Sequence, residues 1–350
     1  MDFNVHDHAG VWVGIVENPT SAIWTRRYQK PSDFELYFPA TAEMLALLAD
    51  DFLITRDDAE EAMIVEHIEI KTSAEDGNYI LVSGRGGESI IGRRIVLEQT
   101  SVSGRVDAAA YRLIRENAVA PTDPARALPL TMYAPDVSTA TARAQYTGTN
   151  LLEAVEGICK AHGLGFRAVA DATEEGVVLR MELLRGLDRS EGQEDNSPVI
   201  FSAEYENLLS SAYVMDTTNY KNVAIVAGEG EGKARKRATI GSASGLARRE
   251  LYIDARDLST NEGEISADDY TAQLVARGTE KLAEHSLSES FDGEMDTGNT
   301  FILDEDYTLG DIVTVENEYG IRKNVRISAI TEVWDAQGYS AIPIFENVEV

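Results

Sequence analysis

The residues of this chain that could do covalent or metal chemistry stand without the partners such chemistry needs. Cys159, the single cysteine, is followed by His162, close enough on a helix for thiol and imidazole to share a face. A nucleophilic thiol needs a base that is itself held in place, and nothing nearby orients His162. The apolar residues Leu151, Leu152, Val155, Ile158 and Cys159 recur at the spacing of one buried helix face, so the reading is core packing. A single cysteine also excludes disulfide frameworks and cysteine-rich zinc sites. His6 and His8 flank Asp7 without a third metal ligand. Asp292, Glu294 and Asp296 resemble the start of a calcium loop, and Asp304, Glu305 and Asp306 form a second acidic cluster; the glycine and the terminal glutamate that a calcium loop requires are absent.

The glycine run at 228–232 is not a phosphate loop. Ala227 stands where the first glycine is needed, and Lys233 is followed by Ala234 instead of a hydroxyl for magnesium. It reads as a hairpin tip. Carboxylate pairs for glycoside hydrolysis are available only through the abundance of acids, and the serine-hydrolase and zinc-protease signatures are missing. No cofactor or metal is expected.

The 350 residues include 60 acidic and 31 basic side chains, a formal charge of −29. Such a chain is repelled by phosphate backbones and anionic membranes unless its cations gather in one place. Residues 251–350 hold 22 acids against 6 bases, a net of −16. Between 232 and 249 the sign reverses: Lys233, Arg235, Lys236, Arg237, Arg248 and Arg249 occur with no acid among them. This is a candidate contact for an acidic neighbour, including a second copy of the chain. The N-terminus has neither a basic nor an apolar signal region, and no run of 18 apolar residues occurs, so a soluble, unexported chain without a membrane anchor is expected.

Several elements must position these groups. Phe34, Leu36 and Phe38 alternate, as do Phe52 and Ile54, and Ile64, Ile68 and Ile70 are expected on one strand face. A turn at 75–78 leads to a strand from Tyr79, and Thr41 is placed to cap a short helix with Met44, Leu45, Leu47 and Leu48. Together these predict a small barrel or sandwich. Ser103 or a neighbour opens a helix with Ala109, Leu113 and Ile114, and Asn150 caps a second that stops at Gly163. Strands 165–170 and 177–183 follow, and the polar loop 189–198 is a candidate domain edge. Strands at 223–226, 233–240 and 251–253 precede a helix from about Ser266 to His285 that buries Tyr270, Leu274, Val275 and Leu282. The remainder is β, with cores at 312–315, 325–327 and 342–345. Sliding the chain by 260 residues lays 51–54 on 311–314, Ile70 on Ile330 and Tyr79 on Tyr339, which chance and a duplicated β domain explain equally well.

Eight blocks in order carry a resemblance that covers nearly the whole chain: FELYFPA (34–40), LVSGRGGESIIGRRIV (81–96), PTDPAR (121–126), QYTGTNLLEAVEGICKAHGLGF (145–166), PVIFSAEYENLLSSAY (198–213), TNYKNVAIVAGEGEGKARKR (218–237), RRELYIDARDLS (248–259) and YTLGDIVTVENEYGI (307–321). The chain resembles a family of siphophage tail proteins, taken to be baseplate hub or tail-associated proteins. The resemblance implies a β-rich α+β multi-domain fold, with two tail-tube-like barrel or sandwich domains carrying α+β insertions. The expected blocks are 1–100 (first tube-like domain), 101–198 (α+β), 199–290 (strands, basic hairpin and long helix) and 291–350 (second tube-like domain). It further implies a non-enzymatic virion protein of the tail tip, assembled in the bacterial cytoplasm. Three copies close a pseudo-six-fold ring on the tail tube, beside the distal tail and tape-measure proteins, and DNA passes without specific binding. Candidate lumen acids are Asp304, Glu305, Asp306, Glu316 and Glu318. Larger relatives append a lytic domain after the second β unit, where this chain stops at Val350, so no lytic activity is expected. The alternatives are a tail-associated peptidoglycan hydrolase and a carbohydrate-binding adhesin. Trp12, Trp24 and Trp334 lie in or beside predicted strands, where packing is the commoner role.

Overall fold

In the computed structural model residues 1–73, 77–208, 210, 212–292 and 300–348 are described. Alternation in the sequence becomes alternation in burial: in strand Asp33–Pro39, Phe34, Leu36 and Phe38 turn inward while Glu35 and Pro39 face water. Burying each such side chain is worth about 1.5–3 kcal/mol, so the strand has one stable face. It belongs to a 13-stranded sheet. From one edge the order is Ala212–Asp216, Ser288–Asp292, Gly338–Asn347, Arg322–Asp335, Ser21–Arg27, Asp33–Pro39, Gly77–Gly86, Met63–Ser73, Leu53–Thr55, Asp2–His6 and Trp12–Glu17. Ile312–Glu316 also pairs with Arg322–Asp335, and Ile200–Ser202 runs parallel to Ile312–Glu316. The expected barrel is not formed: among the described residues no sheet closes on itself, and the strand order of this one is open at both ends.

The order contains the same pairing pattern twice. Strands Leu53–Thr55, Met63–Ser73, Gly77–Gly86, Asp33–Pro39 and Ser21–Arg27 are successive antiparallel neighbours. So are Ile312–Glu316, Arg322–Asp335, Gly338–Asn347, Ser288–Asp292 and Ala212–Asp216. Each long hairpin has one bulge, with Glu66 as the extra residue in the first and Ser328, 262 positions on, in the second. Bulges fix register, so Ile68, and not Ile70, corresponds to Ile330. The first bulge also overturns the single face expected for Ile64, Ile68 and Ile70. Ile64 packs into the core of the helical layer, Ile68 against the opposite core, and Ile70 is 52% exposed.

Helix α1 (Ala42–Leu47) is capped by Thr41, whose Oγ1 accepts from the Met44 N–H at 3.1 Å. The helical layer holds α2 (Val106–Ile114) and α3 (Leu151–Ala161) against strands Gly165–Thr173 and Gly176–Leu184. Ser103 does not open α2: it lies in strand Thr100–Arg105, paired with Thr141–Tyr146, and the helix begins after Arg105. Asn150 caps α3 as expected, accepting from Leu152 N–H at 3.0 Å, and Gly163 ends it at φ 65°, a left-handed turn glycine adopts without strain. The last layer is α4 (Ala267–Ala283) on strands Arg237–Ile240, Val223–Ala227 and Glu250–Asp254. The return strand of the basic hairpin is shorter than expected, because Gly232–Ala234 is a helical turn. Tyr270 and Leu274 are buried in α4, whereas Val275 is 40% exposed and the buried neighbours are Gln273 and Glu280.

Candidate functional site

The two pairing units meet where strand Ser21–Arg27 joins Arg322–Asp335, with Trp24 opposite Glu332 and Thr25 opposite Thr331. Glu332 stands at an inward position of an apolar strand, and burying its charge is costly unless it is paired and hydrogen-bonded. Arg56, just past strand Leu53–Thr55, supplies the pair. Its two terminal nitrogens donate to the Glu332 carboxylate at 3.1 and 3.2 Å, and Nε and Nη2 donate to Asp58 at 3.0 Å each. The guanidinium lies 5.2 Å from the Trp24 ring centroid and 4.4 Å from that of Trp334, a cation–π sandwich. Tyr339 donates to Glu332 at 3.1 Å, and burial followed by that charge pushes its phenol up to about 12. Burial alone raises the Asp58 carboxyl, but the hydrogen bonds and charge of Arg56 outweigh it and leave the group below its ordinary value. Arg26, beside this cluster, grips Asp304 at 2.9 and 3.3 Å. Sequence reasoning missed Arg56 and Glu332, which lie 276 residues apart. The available signal was a glutamate inside an apolar alternation.

A cleft of about 460 Å³ opens beside the seam, lined by Arg26, Arg167, Glu60, Glu61, Asp304 and Asp311 among others. Its acids, with Arg26 and Arg167, are paired within the chain. Arg167 binds Glu60 at 2.6 Å, Glu61 at 3.1 Å and Glu182 at 2.9 Å, and Asp311 accepts from Arg189 at 2.9 Å and from Leu187 N–H at 2.7 Å. The arrangement can tie three layers together; a two-carboxylate glycosidase needs one carboxyl kept protonated beside one kept ionised. The carboxyls that burial raises, among them Glu88, Glu156 and Glu280, do not line the cleft. Glu88 accepts from Ser32 N–H at 2.7 Å and Ala168 N–H at 3.2 Å, stapling the sheet to the helical layer. Glu280 of α4 accepts from the Tyr146 hydroxyl at 2.5 Å.

Of the six cations singled out in the sequence, four are engaged within the chain. Arg235 binds Asp254 and the Ala227 and Gly228 carbonyls, Lys236 binds Glu229 at 2.8 Å, Arg248 binds Glu250 at 2.6 Å, and Arg249 holds the Thr217 carbonyl. Lys233 and Arg237 are exposed. The five acids differ in their local partners. Asp304 is held by Arg26, Asp306 accepts from Ile302 N–H at 2.8 Å, Glu316 pairs with Arg322 at 3.2 Å, and Glu305 and Glu318 are exposed. Among the described residues no group of three or more His, Cys, Asp or Glu could hold a metal; Glu294 and Asp296 lie outside them. Cys159 is fully buried in the core, where burial and then the charge of Glu156 push its thiol up to about 12, and burial lowers His162. Trp24 is buried, but Trp12 is 53% exposed on the edge strand.

With the geometry in place, known structures are informative about the fold. The 43 kDa tail protein of prophage MuSo2 from Shewanella oneidensis is 13% identical, with a TM-score of 0.58 over 99% of this chain and 98% of that one. A tail protein from Neisseria meningitidis MC58 is 13% identical, with a TM-score of 0.56 over 99% and 96%. The prophage tail protein gp18 from Listeria monocytogenes EGD-e is 12% identical, with a TM-score of 0.55 over 99% and 95%. No curated protein matches the sequence. No helix among the described residues is long and apolar enough to cross a membrane. Residues 2–345 match one protein family, and the chain, which has the fold of these prophage tail proteins, belongs to the Siphovirus ReqiPepy6 Gp37-like family.

Proposed function

We propose that the protein is a non-enzymatic structural component of a phage tail, the hub at the tail tip that continues the tail tube. The repeated strand-pairing order carries this reading: two like units in one chain let three copies present six to a hexameric tube. The two units are then tube-like domains, with the helical layer and the basic-hairpin layer as insertions. The ring is a homotrimer in the virion, assembled in the host cytoplasm against the tail tube, the distal tail protein and the tape-measure protein.

DNA crosses the ring during ejection, and the charge of −29 explains why it does not bind. The acids Asp304, Glu305, Asp306, Glu316 and Glu318 face the passage in this reading. Arg26 and Arg322 already offset Asp304 and Glu316, so the net charge of the chain supplies the repulsion. Lys233, Lys236 and Arg237, with Arg235, Arg248 and Arg249, serve protein contacts. Mass measurement in solution with low-resolution imaging tests the reading. A three-subunit ring with an open channel is expected; a monomer that clears cell-wall suspensions, or one that binds glycans, overturns it.

A further inference from the structure

The seam inside the chain joins two elements whose counterparts elsewhere in the molecule each keep one edge without a strand partner among the described residues. In Arg322–Asp335, one edge is covered by Gly338–Asn347; the other is shared by Ile312–Glu316 at its start and Ser21–Arg27 at its end. Its counterpart Met63–Ser73 is covered by Gly77–Gly86 on one edge and by Leu53–Thr55 at Met63 and Ile64 only. No strand among the described residues pairs with the rest of that second edge, residues 67–73. Ser21–Arg27 likewise has a counterpart, Ala212–Asp216, which pairs with Ser288–Asp292 and ends the sheet.

We propose that these two free edges pair between copies, with Ala212–Asp216 of one copy adding antiparallel to residues 67–71 of the next and reproducing the internal seam. The proposal rests on the ring reading above and names the strands that make the ring. Register follows from the pairings. The bulges align Glu66 with Ser328, so Glu69 corresponds to Thr331 and Ile70 to Glu332. Phe345 pairs with Phe291 and Phe291 with Tyr213, as Gly84 pairs with Phe34 and Phe34 with Trp24, so Tyr213 corresponds to Trp24 and Val214 to Thr25. The internal pairs Thr331 with Thr25 and Glu332 with Trp24 then become Glu69 with Val214 and Ile70 with Tyr213. Met215 falls opposite Ile68, and Asp216 opposite His67.

The side chains fit this occupant. Ile70, Val214 and Met215 are 52%, 49% and 58% exposed, and the pairing covers all three. An acid meets an imidazole at one end. Neither edge carries the proline, and Ala212–Asp216 carries none of the lysines, that blunt edges against pairing. A head-to-tail contact of this kind makes a ring when its rotation closes.

Cysteine cross-linking tests the register. In the internal seam the hydroxyls of Thr25 and Thr331 lie 3.3 Å apart, so sulfurs at the equivalent pair are within bridging reach. Glu69→Cys mixed with Val214→Cys is expected to give a disulfide-linked dimer under oxidation, and the double variant a covalent ladder ending at the ring size. Lys71→Cys with Asp216→Cys, four positions out of register and so roughly 13 Å apart, is expected to give none. An oligomer that does not cross-link at 69 and 214 overturns this interface and leaves the ring reading standing. Equal cross-linking in both pairs overturns the register. A chain that stays monomeric at every concentration and forms no cross-link overturns both. As a second readout, Met215→Lys is expected to weaken self-association at least tenfold with the melting of the monomer unchanged; association that is unchanged overturns the interface.

Discussion

Replacing Arg56 by methionine removes the cation that neutralises Glu332 while keeping an unbranched apolar stem between Trp24 and Trp334. The Arg56 side chain is 2% exposed and that of Glu332 is 6% exposed, so the pair is screened little by solvent. Removing one partner of such a pair costs about 3–5 kcal/mol, most of it the uncompensated charge left behind. Arg26 Nε remains 3.6 Å from Glu332 and Tyr339 still donates to it, which points to the lower end, about 3 kcal/mol. Adding Glu332→Leu removes the stranded charge, and replacing a whole buried pair by apolar side chains is often close to neutral. The double variant is therefore expected to recover about 2 kcal/mol over Arg56→Met alone. Urea denaturation followed by tryptophan fluorescence is the assay, because Trp24 and Trp334 flank the guanidinium. A cost below about 1 kcal/mol, or a double variant weaker than the single, refutes the argument that the seam depends on charge compensation.

Three further outcomes follow from the buried groups. Burial raises the Glu88 carboxyl above 4.5, so its contribution to stability is present below that value and is lost as pH rises through the folded one. Glu88→Gln should flatten the decline above pH 4.5 in pH-dependent urea midpoints, and a parallel decline would exclude Glu88 as its source. For Asp107, burial acts upward but Arg105 and the N–H groups of Val137, Ser138 and Ala108 hold the carboxyl down to about 2. Asp107→Asn should cost about 1–2 kcal/mol at neutral pH, with the gap closing as pH falls from 3.8 toward 2, read from acid unfolding curves; a constant gap refutes the assignment. Cys159, with its thiol near 12 and no exposure, should resist a thiol reagent at pH 8 until denaturant is added, and rapid labelling of the folded chain counts against the core placement.

Local chemistry was legible wherever a residue acts on its own neighbours. Thr41 and Asn150 cap the helices assigned to them, Gly163 ends one, and the alternation at Phe34, Leu36 and Phe38 points to the face that is buried. The self-comparison at 260 residues came within two positions of the bulge alignment without choosing between duplication and chance. What misled was mostly a matter of partners distant in the sequence. A bulge at Glu66 put Ile64 on the opposite face from Ile68 and Ile70, and pairing with Thr141–Tyr146 drew Ser103 into a strand. Four of the six cations found acids or carbonyls of their own chain, which charge runs in sequence do not register.

By itself the sequence determined the acidic balance, the caps, the strand periods and the blocks that carry the family resemblance, because each depends on residue identity over a few positions. Only the tertiary structure decided that the sheet stays open, that Arg56 and Glu332 close the seam between its halves, and that residues 67–71 and Ala212–Asp216 each keep one edge without a strand partner among the described residues. The physical reason is that hydrogen-bonded edges and buried charges are satisfied by whichever partner the fold brings near, and for Arg56 that partner lies 276 residues away.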